Sequence, residues 1–323
     1  MAGNTPFRFG AVYFTLENWA ERARMIESLG YATLLLGEHP VGGGPSPLIA
    51  LMAAAQATTT LRLGTHMLAN DFRNPVLLAQ DVAILDILSG GRFELGLGSG
   101  WLHHDYTSLG IPFDSPGVRI SRLAEAVALI KRLFQEEETT FSGDYYQVQG
   151  ARVDPKPIQQ PYPPIMVGGG GRRVLTLAAR EADIVSLDPI GTAAGTKDMA
   201  TTTAAAVAEQ LGWVRAAAGA RFDALELHVL TSVCVAEDRQ QGAKQIIQFF
   251  KRAPEGMFIN TERTVAEVLE SPRYLIGSVE QIVEQLLANR ARYGISYISV
   301  LDFPGAPSNV EALAPVVARL AGK

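Results

Sequence analysis

The run from Arg73 to Trp101, RNPVLLAQDVAILDILSGGRFELGLGSGW, holds one complete helix–turn–strand unit. Asn74-Pro75 supplies a cap and a first-turn proline, and Ser89-Gly90-Gly91 ends the helix they open. Phe93–Leu97 follows as a short apolar strand that runs into glycines. The same alternation continues on both sides. Upstream, Phe7–Val12, Thr33–Leu36 and Leu61–His66 read as strands, with helices at about Leu16–Leu29 and Ser46–Thr58. Downstream, Ser115-Pro116 opens a helix whose Ile120, Leu123, Val127, Ile130 and Phe134 recur at steps of three and four. Strands at Pro164–Val167, Asp183–Ser186, Leu225–Val233 and Tyr297–Leu301 complete the set. Between them lie a helix at about Arg172–Arg180 and an alanine-rich helix, and capping-box patterns at Ser278/Gln281 and Ser308/Glu311 open the last two helices. Strands joined through helices run parallel with right-handed crossovers, and eight of them close a (β/α)8 TIM barrel. A doubly wound open sheet is the alternative.

Two stretches break the alternation. Residues 136–164 are acidic and then proline-rich, too long for an ordinary connection, and are expected to carry a small hairpin around Thr139–Val148. A second excursion covers about 237–276. One domain of residues 1–323 with two insertions is expected. With 47% hydrophobic and 19% charged residues the composition is that of a globular chain. The net charge of −5, without basic runs, argues against nucleic-acid or anionic-membrane binding. Cys234 is the single cysteine, which excludes an intrachain disulfide and a cysteine-rich zinc site. The first residues do not resemble a signal peptide and no apolar run reaches membrane-spanning length, so a cytoplasmic protein is expected.

In a barrel, active sites gather at the carboxyl ends of the strands. Glu38-His39 follows the second strand, His66-Met67 the third, Ser99 through His104 the fourth, and Gly168–Gly171 with Arg172-Arg173 the fifth. Four of the five histidines thus fall at one end, where imidazoles can transfer protons near neutral pH. Each feature also has a plainer explanation. Glu38-His39 can be a solvated turn pair, and His66 a satisfied core histidine. His103-His104 lacks a partner at metal-ligand spacing, so no metal is expected. Gly96–Gly100 resembles a dinucleotide fingerprint weakly, with Trp101 where a third glycine belongs, and reads better as a strand end where the backbone must approach something closely. Four glycines ahead of a helix expose amides that suit a phosphate, with Arg172 and Arg173 as added charge; a tight turn is the simpler alternative.

The Arg73–Trp101 run and PKPIQQPYPPIMVGGGG, Pro155–Gly171, resemble the two signature segments of the bacterial luciferase-like flavin and deazaflavin oxidoreductases. The order of strands, helices and excursions agrees along nearly the whole chain. The resemblance implies a luciferase-like barrel that binds a flavin-type ring at the strand carboxyl ends. HMLANDFRNP, His66–Pro75, is similar to the branch that uses coenzyme F420; FMN, as in the monooxygenases, is the alternative. It further implies a cis peptide at His66–Met67 behind the ring, Ser99 and His104 lining the ring, and a phosphate cradle in Gly168, Gly169, Gly170 and Gly171. His39 would then serve as acid or base for the proton that accompanies hydride transfer, with Glu38 orienting it. A loop over Gly42–Gly44 would close above the pair. Trp101 replaces an acidic residue found in some sugar-phosphate dehydrogenases of the branch, which argues against such a substrate. The expected partners are a small-molecule or peptide substrate and a second copy of the chain in a homodimer. A non-enzymatic flavin-binding protein is disfavoured by the number of proton-active side chains.

Overall fold

The computed structural model describes residues 5–40, 44–254, 256–302 and 308–323. Eight strands form the barrel: β1 (Arg8–Tyr13), β2 (Thr33–Leu36), β3 (Arg62–Thr65), β4 (Phe93–Gly98), β5 (Ile165–Gly169), β6 (Ile184–Leu187), β7 (Glu226–Val235) and β8 (Tyr297–Leu301). Each pairs in parallel with the next, and β8 returns to β1 with Tyr297 opposite Arg8, which closes the eight strands into a barrel. The open-sheet alternative is thereby excluded. Helices α1 (Trp19–Ser28), α2 (Pro47–Ala57), α3 (Pro75–Leu88), α4 (Pro116–Gln135), α5 (Arg172–Glu181), α6 (Ala204–Ala218), α7 (Val279–Tyr293) and α8 (Asn309–Leu320) follow the eight strands in turn.

The punctuation seen in the sequence does its work in three dimensions. Asn74 accepts a hydrogen bond from the Val76 amide at 2.9 Å, and Pro75 occupies the first helical turn of α3. Gly90 and Gly91 leave that helix with φ of 69° and 79°, a conformation that costs an L side chain about 1 kcal/mol or more. Ser278 and Gln281 form a reciprocal box at α7, whereas Ser308 accepts from the Glu311 amide alone. Most of the apolar core lies between strands and helices, with Leu34, Leu63, Phe93, Leu95 and Val185 fully buried there. A smaller cluster fills the barrel itself, from Val12, Leu35, Met166, Ile184 and Tyr297. Each such side chain contributes roughly 1.5–3 kcal/mol by leaving water.

The first excursion carries the expected hairpin, Thr139–Ser142 against Gln147–Ala151. The second departs from the expectation of a plain insertion. It contains the helix Arg239–Lys251 and the short helix Val265–Glu270, and it ends in a strand, Tyr274–Gly277, paired in parallel with the outer half of β7. This strand is buried throughout, so its four residues show no alternation that would betray it. β7 is long because its first half belongs to the barrel and its second half to this side pairing.

Candidate active site

A cavity of ≈1340 Å³ opens at the carboxyl ends of the barrel strands. His39, just past β2, lies half-buried in its wall, with Phe14 and Trp101 flanking the imidazole at ring-centre distances of 5.8 and 5.7 Å. Its Nδ1 lies 2.7 Å from Oδ2 of Asp105, a residue of the short helix His103–Leu109 that is 3% exposed. A carboxylate on Nδ1 favours the tautomer with the proton there and leaves Nε2 as the atom available to the cavity.

The expected role of Glu38 is corrected by this geometry. Its carboxylate pairs with Arg73 and accepts from the Ala69 amide at 3.0 Å, with no hydrogen bond to the imidazole. Burial pushes the Glu38 carboxyl above the ordinary range, while Arg73 and the Ala69 amide pull the other way. Glu38 therefore ties down the chain that follows β3, and Asp105 is the carboxylate hydrogen-bonded to His39. Gly44 packs against the His39 carbonyl, where a Cβ would lie 2.4 Å from the oxygen. Gly42 and Gly43 of the expected closing loop lie outside the described residues.

β3 stops at Thr65, and the chain resumes pairing at Leu68–Ala69 beside β4. The peptide between His66 and Met67 is cis. This bulge explains two glycines. A Cβ on Gly96 would lie 1.8 Å from the Thr65 carbonyl oxygen, and one on Gly168 would lie 1.9 Å from Met67 Cε. The close approach anticipated at the glycines of β4 is thus an approach to the β3 bulge. His66 is buried at the cavity floor, with Nε2 3.3 Å from Ser186 Oγ. The same hydroxyl lies 2.8 Å from His228 Nδ1, and His228 Nε2 lies 2.8 Å from Ser299 Oγ. Burial drives both imidazoles towards the neutral form.

Gly168, Gly169, Gly170 and Gly171 all line the cavity ahead of α5. Gly171 caps α5 without a side-chain hydrogen bond, and a Cβ there would meet nothing within 4 Å. Gly170 is different, because its Cβ would lie 2.4 Å from the Asp188 carbonyl oxygen. Arg172 and Arg173 are exposed, and Arg173 donates to Ser121 Oγ at 2.6 Å. Ser99 lines the cavity, while His104 is exposed on its short helix and does not, which corrects the expectation for that residue. The residues that sequence reading missed come from segments without a motif. Asp188 directly follows β6, Lys197 opens a short strand, Lys197–Asp198, paired with Phe258–Ile259, and Arg273 immediately precedes the unforeseen strand. Lys197 Nζ donates to the Pro189 carbonyl at 3.3 Å and stands 5.4 Å over the Trp101 ring. Arg273 donates to the Leu187 carbonyl at 2.7 Å. Burial lowers the pKa of both cations, with Asp188 opposing the effect. Asp105 had a legible signal: it lies one residue beyond the His103-His104 pair, on the same short helix.

The donor set fits a flat aromatic cofactor with a phosphate: apolar walls, a backbone bulge beneath, and uncapped amides at one end. No helix of the described residues is long and apolar enough to cross a membrane. An F420-dependent glucose-6-phosphate dehydrogenase of Kineococcus radiotolerans is 41% identical over 146 residues, 45% of this chain and 42% of that protein. The chain spans about half the length of the first curated relatives it matches. The 4-hydroxyprotoasukamycin monooxygenase of Streptomyces nodosus subsp. asukaensis is 26% identical over 302 residues, 88% of this chain and 80% of that one. Among solved structures, the monooxygenase RslO1 from Streptomyces bottropensis superposes with a TM-score of 0.74 at 25% identity, covering 97% of both chains. The sequence profile of the luciferase-like monooxygenases matches residues 2–296, and with the closed barrel and the bulge after β3 it leads to one conclusion: the chain belongs to the luciferase-like monooxygenase family.

Proposed function

We propose that this protein is a coenzyme F420-dependent oxidoreductase in which His39 handles the proton that accompanies hydride transfer. The observation that carries the reading is the dyad of His39 and Asp105, 2.7 Å apart at the cavity wall. The deazaflavin, when bound, supplies the hydride chemistry. Asp105 fixes the His39 ring and stabilises its protonated form, and His39 Nε2 gives or takes the proton at the substrate. Phe14 and Trp101 keep the imidazole between apolar faces and limit water around it. Glu38 and Arg73 hold the segment that follows the His66–Met67 bulge. The first-turn amides of α5 hold the cofactor phosphate.

The choice of F420 draws on relatives named as F420-dependent glucose-6-phosphate dehydrogenases, and the substrate is proposed only as a small organic molecule. An FMN-dependent monooxygenase is the second reading, favoured by the monooxygenase relative that aligns over 88% of the chain. Titration of the purified protein with F420 and with FMN, followed by fluorescence, separates the two. Binding of F420 at micromolar concentration or tighter, with FMN much weaker, is expected. Tighter FMN binding with oxygen-dependent turnover would overturn the proposal. A homodimer formed through the outer faces of α2 and α3 is also proposed, because Ile49, Leu77, Ile84 and Leu88 are exposed there.

A further inference from the structure

Among the described residues, one buried arginine at the cavity forms no ion pair of its own, although Asp71 and Asp114 lie near enough to act on it. Arg119, in the first turn of α4, is 3% exposed and lines the cavity. Its Nη1 donates to the Asp114 carbonyl at 3.1 Å, and the guanidinium lies 3.9 Å from the centre of the Phe113 ring. Its Nε is buried without a hydrogen-bond partner. The nearby carboxylates are committed elsewhere. Asp71 pairs with Arg122 at 2.9 Å and accepts from Tyr106 at 3.1 Å, and Asp114 also pairs with Arg122. A desolvated guanidinium in this state is unfavourable unless an anion completes it.

The surroundings select the kind of anion. The N-terminal ends of α4 and α5 lie side by side: Arg173 donates to Ser121 Oγ in the second turn of α4 at 2.6 Å, and a Cβ on Gly117 in its first turn would lie 2.9 Å from Arg173 Nη1. Neither helix has a side-chain cap at its N-terminus, where Ser115 and Gly171 stand. In α5 the first intrahelical bond runs from the Leu175 amide to the Gly171 carbonyl, so the amides before Leu175 have no acceptor within the helix. Two positive helix ends and a buried guanidinium fork therefore border one cavity, an arrangement that matches a phosphate group.

We propose that Arg119 binds the phosphate of the flavin-type cofactor, together with the first-turn amides of α5. The assignment rests on the cofactor reading above and moves the positive charge from the exposed Arg172 and Arg173 to a residue of the preceding helix. It is tested by comparing each cofactor with its counterpart that ends at the ribityl chain: F420 with the phosphate-free deazaflavin riboside, and FMN with riboflavin. Dissociation constants are read from fluorescence, so turnover is not needed. Wild type is expected to prefer the phosphate-bearing form of its cofactor by at least about tenfold, since a charge-assisted contact supports roughly ten- to hundredfold in affinity. Arg119→Gln should cut that preference by about tenfold or more, with affinity for the phosphate-free form within about threefold of wild type. Because the preference is a ratio measured on one variant, a general loss of stability does not mimic the effect. Arg119→Lys, the second variant should the first not fold, should cut the preference by at least about threefold, because an ammonium cannot reproduce the fork. A preference within about twofold of wild type in either folded variant would overturn the role of Arg119 and leave the cofactor reading intact. Wild type that binds neither F420 nor FMN would overturn both.

Discussion

Replacing Asp105 by asparagine perturbs the dyad at one atom and leaves its shape. Asp105 Oδ2 is 2.7 Å from His39 Nδ1, while its Oδ1 is buried without a hydrogen-bond partner. The amide of an asparagine can turn its NH2 group towards Nδ1, which then accepts, and the ring proton moves to Nε2. The imidazole then presents the wrong tautomer to the cavity and loses the carboxylate that stabilises its protonated form. A hydrogen bond to a charged group contributes roughly 1.5–3 kcal/mol, which corresponds to a loss of about 10- to 150-fold in turnover. Removing the imidazole altogether with His39→Ala should cost more, ~10²–10⁴, the range of a positioned acid or base. Glu38→Gln should leave turnover within about threefold, because Glu38 touches Arg73 and the Ala69 amide and not the imidazole. Its cost should fall on stability, since Arg73 is left without its partner. The assay is kcat at saturating cofactor and substrate, with cofactor Kd and melting temperature measured on the same preparations. Full kcat in Asp105→Asn beside a large loss in Glu38→Gln would refute the reasoning. A His39→Ala variant with weakened cofactor binding and intact kcat would move His39 from proton transfer to binding.

Gly171→Val should weaken binding of F420 by about tenfold or more and leave the melting temperature near that of wild type, because its Cβ enters open space. Gly170→Val should instead lower the melting temperature, because its Cβ would press on the backbone of residues 188–190; equal thermal stability of the two variants would contradict this contrast. At the amino end of the barrel, Glu226 pairs with Arg8 at 2.6 Å, and burial pushes its carboxyl up from 4.5 to about 7. A carboxyl raised on folding stabilises the protein below its unfolded pKa, and that contribution is lost as pH rises from about 4.5 through 7. The difference corresponds to on the order of 3 kcal/mol. The melting temperature of wild type relative to Glu226→Gln should therefore fall between pH 4.5 and 7, and a flat difference would refute it. Ile49→Lys combined with Leu77→Glu should convert the proposed dimer to monomer in light scattering, and an unchanged mass would reject α2 and α3 as its face.

The residues that build the barrel act locally, and so they are legible in the sequence. Asn74-Pro75 and Gly90-Gly91 start and stop a helix through their own backbone preferences, and the alternation of strands and helices restricts the sheet to parallel order. The number of strands then points to closure, although only the pairing of β8 with β1 decides it. The position of His39 at a strand end is likewise local, as is the run of glycines before α5. What the sequence does not contain is the direction in which a side chain turns. Glu38 and His39 are adjacent in the chain, yet their partners, Arg73 and Asp105, come from the segments after β3 and β4. Which carboxylate meets the imidazole is decided by how the loops of neighbouring strands pack, at separations of 35 and 66 residues. The same holds for Arg119, whose isolation becomes visible only when Arg122 claims both nearby aspartates, and for Tyr274–Gly277, a strand because the outer half of β7 offers it unpaired backbone. Backbone preferences are written residue by residue, whereas the pairing of charges is settled by the tertiary contacts that determine which groups are left without water.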